Sequence, residues 1–90
     1  MVQIELVPDI SHCIETVAKR AYRETVEKLL AAGEGDEEFQ ERIELLRTFL
    51  ETMDFKKLRR ESERCLIEGR KVKFVVYLEG GVPKYNMRVS

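Results

Sequence analysis

Lys71 to Ser90 sort into two chemically distinct rows once Gly80 and Gly81 are read as a two-residue turn. Val72 then opposes Val89, Phe74 opposes Met87, Val76 opposes Tyr85 and Leu78 opposes Pro83, while Lys73 opposes Arg88 and Tyr77 opposes Lys84. Side chains on a strand alternate between faces, so a register that separates apolar from basic residues this cleanly predicts a β-hairpin with one buried face. Nearer the start of the chain, Val2, Ile4 and Leu6 alternate with Gln3 and Glu5. That pattern predicts a strand ended by Pro8, with its apolar side joining the hairpin's.

Between these strands the period lengthens to that of a helix. A first helix is expected from Asp9 or Ser11, both able to cap, to Ala32, where Gly33 and Gly35 supply a turn. Ile10, Cys13, Ile14, Val17 and Ala21 form its leading stripe, and Tyr22, Val26, Leu29 and Leu30 lie roughly a third of a turn away. Asp36, followed by Glu37 and Glu38, caps a second helix and places carboxylates at its positive end. Phe39, Ile43, Leu46, Leu50 and Met53 make a narrow seam along it, which Leu45 and Phe49 widen to about 160°. An arc that wide implies two packing partners: the chain's own sheet on one side and, on the other, a second copy meeting Leu45 and Phe49. Asp54 interrupts this helix and caps a third, with Phe55, Leu58, Cys65 and Leu66 on one face and Gly69 as the stop. One bent helix from Asp36 to Glu68 is the competing reading.

The order strand, helix, helix, helix, strand, strand points to an α+β fold in two layers, with the helices on one face of a small antiparallel three-stranded sheet. Ninety residues suffice for a single domain spanning 1–90. No apolar run approaches the ~20 residues of a membrane span, and Met1 to Pro8, which alternate and carry neither a basic leader nor a continuous apolar region, are not expected to act as a secretory signal. The expected compartment is the cytoplasm. A charged fraction of 37%, rich in Glu, Lys and Arg and lacking Trp, resembles the composition of proteins from hot environments.

Charge is divided along the chain. Residues 1–53 carry 6 basic and 12 acidic groups, residues 54–90 carry 10 and 5, and the net is only −1. An acidic region near Glu37 to Glu44 in one copy therefore suits the basic region of another, which favours a non-enzymatic interaction module that forms a homodimer. Nucleic-acid binding is the alternative. Lys56, Arg60 and Arg64 line the outward side of the third helix, and Lys73, Lys84 and Arg88 surround Tyr77 on the outer face of the hairpin, where a base can stack. Against it, Lys57 with Glu61, Arg59 with Glu63 and Arg64 with Glu68 are spaced to neutralise one another within the helix.

Catalytic chemistry finds few components. His12 is the single imidazole, and its neighbour Cys13 would be an activated thiol only in the first turn of a helix, whereas the stripe groups it with Ile10 and Val17 as core. Cys13 and Cys65 lack the spacing of a zinc or redox motif and read as free thiols. A thiol-based enzyme and a metal site from Asp9, His12, Cys13 and Cys65 are the remaining alternatives. The acidic row Glu37, Glu38, Glu41 and Glu44 reads as a solvated helix face, and no cofactor is expected.

Overall fold

The turn at Gly80 and Gly81 has both residues at positive φ, 60° and 79°, as a two-residue turn matched to the twist of its strands requires. A computed structural model of the chain describes residues 2–33 and 35–90. The turn joins β2 (Val72–Glu79) to β3 (Val82–Val89), and β1 (Gln3–Leu6) lies antiparallel along the other side of β2, giving the sheet order β1-β2-β3. Every hairpin pair expected from the alternation is present, from Val72 opposite Val89 to Leu78 opposite Pro83. Between β1 and β2, Ile4 faces Val76 and Leu6 faces Phe74. Ile4, Leu6, Val72, Phe74 and Val76 are buried together on one side of the sheet.

Three helices cover that side: α1 (Ile14–Ala32), α2 (Glu37–Thr52) and α3 (Phe55–Ile67). The fold is α+β, with the helices packed against a three-stranded antiparallel sheet. Asp36 starts α2 by accepting hydrogen bonds from the amides of Glu38 and Phe39, and Asp54 starts α3 by accepting from that of Lys57. Met53 between them is extended, so the two helices are separate and the single bent helix does not form. The first helix begins later than its cap-competent residues suggest. Asp9 instead folds back locally, its Oδ1 accepting from the amides of Ser11 at 2.8 Å and His12 at 2.7 Å, a side-chain turn that competes with helix. Cys13 becomes the residue before α1, and Ile10, assigned to the core stripe, is 81% exposed.

The core draws on all three helices and the sheet: Ile14 and Ala18 from α1, Leu45, Leu46 and Phe49 from α2, Leu58 from α3, and the inner sheet residues. α2 packs along α1 and also over β2 and β3. This accounts for its wide apolar arc within one chain. Leu45 and Phe49, expected to meet a second copy, are 1% and 0% exposed, and the Phe49 ring meets Phe55 edge-on with centroids 5.5 Å apart. They are core residues, and that assignment of the dimer contact is corrected. No helix is long and apolar enough to cross a membrane among the described residues.

Candidate interaction surface

All three helices lie on the inner side, so the outer side of the sheet is uncovered. Alternation puts Gln3 and Glu5 of β1, Lys73, Val75 and Tyr77 of β2, and Lys84, Asn86 and Arg88 of β3 there. The register sets Lys73 beside Arg88, Val75 between Glu5 and Asn86, and Tyr77 between Gln3 and Lys84. Val75 is 6% exposed although it faces outward. Lys73 Nζ stands 3.5 Å from Glu5 Oε2, an exposed pair that contributes below about 1 kcal/mol. Lys84 and Arg88 have no carboxylate partner among the described residues.

The hairpin's hydrogen bonding follows from its far end. Lys71 and Ser90 exchange both backbone bonds, at 3.0 and 2.9 Å. Bonded and non-bonded pairs alternate along an antiparallel ladder, so Lys73 with Arg88, Val75 with Asn86 and Tyr77 with Lys84 are bonded pairs. Tyr85, Met87 and Val89 therefore turn their own N–H and C=O groups away from β2. No strand lies on that side among the described residues. Pro83 occupies an equivalent position, where its missing N–H costs the hairpin nothing.

The second basic group, Lys56, Arg60 and Arg64, is exposed along α3, in the helical layer rather than on the sheet's outer face. None of the three ion pairs expected within α3 forms among the described residues. The ionisation of Tyr85 is pushed above the ordinary 10.0 by burial first and then by the nearby Glu61. Glu68 pairs with Arg70 at 3.6 Å. The i,i+4 spacing is correct, but Glu68 is drawn to Arg70 beyond the helix.

Cys13 lies at the N-terminus of α1, half-exposed, with Sγ 3.3 Å from the hydroxyl of Thr16. Thr16's hydroxyl and amide, aided by the amide of Glu15 and the charge of Arg59, hold its thiol below the ordinary 9.0 against the opposing effect of burial. The His12 Nδ1 is 3.1 Å from Asp9 Oδ1. A pocket of about 210 Å³ adjoins Cys13, lined in part by Arg59, Leu66, Ile10 and Ile67. Ile67 is 74% exposed, beside the polar lining residues Asp9, Ser11 and Glu63. Both cysteines are free, and no cluster of three or more His, Cys, Asp or Glu side chains is placed to hold a metal among the described residues. On α2, Glu37, Glu41 and Glu44 border a shallow cleft of about 540 Å³ floored by Val2, Leu45 and Leu78. Glu38 pairs with Arg42, and Glu44 with Arg47.

The sequence therefore located the outer residues Lys73, Tyr77, Lys84 and Arg88 on one face, and α3's cations on another. A short sheet with edges that need cover is legible in the sequence, but not that β3 is the open one, for which the position of Pro83 is the one signal. An uncharacterised protein of Archaeoglobus fulgidus is 49% identical over 53 residues, an alignment covering 57% of this chain and 62% of that relative. The match thus spans less than two thirds of the relative's length. No solved structure matches the chain. A protein-family model, for a family whose activity is uncharacterised, matches residues 2–86, and by that match the chain belongs to this family.

Proposed function

We propose that this protein is a non-catalytic interaction module that holds a macromolecular partner against the outer side of its sheet. The observation carrying this reading is the one-sided covering of the sheet, which leaves Lys73, Tyr77, Lys84 and Arg88 together under solvent. The basic character of this face comes from residues in register, not from a general excess of charge. The one imidazole is engaged by Asp9 and the Cys13 thiol by Thr16, an arrangement that local structure explains without catalysis.

Photo-crosslinkers placed at Asn86 and, for comparison, at Arg60 test this in cells, with mass spectrometry identifying the adducts. The expected result is a defined adduct from position 86 that is lost on Lys84→Glu with Arg88→Glu. Equal labelling from both positions, or none from 86, removes the sheet from consideration.

Single-stranded nucleic acid is a second reading, favoured by the half-exposed Tyr77 ring directly across from Lys84, on the face that also carries Lys73 and Arg88. Its signature is retention of labelled oligonucleotide at low salt, with log affinity falling by about 0.7 per phosphate contact for each decade of salt. Tyr77→Ala then weakens binding by roughly 1–3 kcal/mol per stacked base. Absence of binding at low salt rules this reading out.

A further inference from the structure

We infer that the open edge of β3 takes up an extended partner strand in which apolar and acidic side chains alternate. This rests on the reading of the sheet side as the working surface and names the partner's chemistry. Three features of the edge support it. The first is geometric: N–H and C=O groups of Tyr85, Met87 and Val89 face outward at every second residue, the repeat of a neighbouring strand. A polynucleotide has no matching alternation of peptide donors and acceptors, so this edge selects a polypeptide.

The second is the chemistry on either side of that row. Tyr85, Met87 and Val89 point to the inner, apolar side of the sheet, and Val89 is 38% exposed. Lys84 and Arg88 point to the outer side. An added strand therefore meets apolar neighbours at one set of positions and cations at the other. The third is a precedent inside the molecule. β1 closes the opposite edge of the sheet with Ile4 and Leu6 inward and Gln3 and Glu5 outward, and Glu5 reaches Lys73. An apolar and polar alternation, with one acid set beside a cation of β2, is thus the solution this sheet already uses on its other side.

A second copy of β3 is the competing occupant, and charge opposes it. Two-fold pairing of β3 with itself sets the Lys84 and Arg88 side chains of both copies along one outer strip, where like charges across strands are destabilising. Pro83 also withholds one donor from a symmetric ladder. An acidic strand meets the same missing donor at Pro83 but avoids the charge repulsion, which is what separates the two occupants.

The probe is a soluble octapeptide alternating valine with glutamate, compared with one alternating valine with lysine and with single-stranded DNA. Amide hydrogen exchange, read residue by residue by NMR, supplies the signature. With the glutamate peptide, exchange at Met87 and Val89 slows by about tenfold or more, while Lys84, Asn86 and Arg88, already bonded to β2, change little. Lys84→Glu with Arg88→Glu weakens the glutamate peptide by about tenfold, from roughly 0.7 kcal/mol for each of two cross-strand charge pairs. Met87→Pro removes an outward donor and no bond of the hairpin, so it abolishes protection at Val89 while circular dichroism still reports a folded chain. Three results overturn the inference: no protection with the glutamate peptide, equal protection with the lysine peptide or DNA, or protection that grows with protein concentration alone. If the edge fails while the Asn86 crosslink persists in Met87→Pro, the broader sheet-side reading stands without it.

Discussion

Replacing Phe49 by alanine tests whether α2 closes the chain's own core or serves a second copy. The side chain is fully buried and meets Phe55 at 90° between ring planes. Burying a phenylalanine withdraws on the order of 150–250 Å² from water. At about 25 cal/mol per Å² this corresponds to roughly 4–6 kcal/mol, of which alanine retains a part. Truncations of this type cost about 3–5 kcal/mol including the cavity, and the edge-on ring pair adds roughly 0.5–1.5 kcal/mol. We expect a loss of about 4 kcal/mol. At roughly 0.05–0.15 kcal/mol per residue, a chain of 90 residues has about 5–13 kcal/mol in total. The variant therefore sits near the limit of folding, with a Tm lower by about 15–30 °C. Urea unfolding followed by circular dichroism, at two protein concentrations, measures it. The midpoint should fall at unchanged slope and be independent of concentration in both proteins. A loss under about 1 kcal/mol, or a wild-type midpoint that rises with concentration and a variant midpoint that does not, would refute the assignment of Phe49 to the core.

Asp54→Ala removes the cap of α3 and should lower stability by about 1 kcal/mol, with Asp54→Asn retaining most of it; equal losses in the two variants would show that the oxygen acceptor is not what matters. The Cys13 thiol should react with iodoacetamide along a pH profile whose inflection lies below the ordinary 9.0, because hydrogen bonds from Thr16 stabilise the thiolate. Thr16→Val removes the hydroxyl and keeps the amide, so the inflection should move upward, and a profile unchanged by it would deny the hydroxyl a role.

The hairpin was legible because two independent constraints agree on it: Gly80 and Gly81 fix the turn, and period-two alternation fixes which residues share a face. The caps at Asp36 and Asp54 were legible for a similar reason, since each short acidic side chain precedes an apolar helical repeat. Asp9 is also acidic and precedes such a repeat, yet its hydrogen bonds serve a local turn, and α1 starts at Ile14. A helical wheel gave the width of the α2 arc correctly but not its partners, because α1 and the sheet can share one helix as well as a sheet and a second chain can. The spacing within α3 identified charge pairs in reach of one another. It could not reveal that Glu68 turns instead to Arg70, beyond the helix. The β3 edge depends on where β1 adds to the sheet: beside β2 it leaves β3 open, and beside β3 it would have closed it.

That placement of β1 has a consequence for how the chain is assembled. Leu6 lies opposite Phe74, so the loop closed by their pairing contains all three helices. Loop-closure entropy rises only slowly with length, and the equilibrium cost is modest; in time, contacts so distant in sequence form late. The hairpin and the α1–α2 pair join near neighbours and can condense first, leaving the first strand as a clasp that closes over a nearly finished molecule. Without β1, β2, the most apolar strand of the sheet, has a bare flank of the kind that invites strand-to-strand aggregation, and the clasp is what covers it.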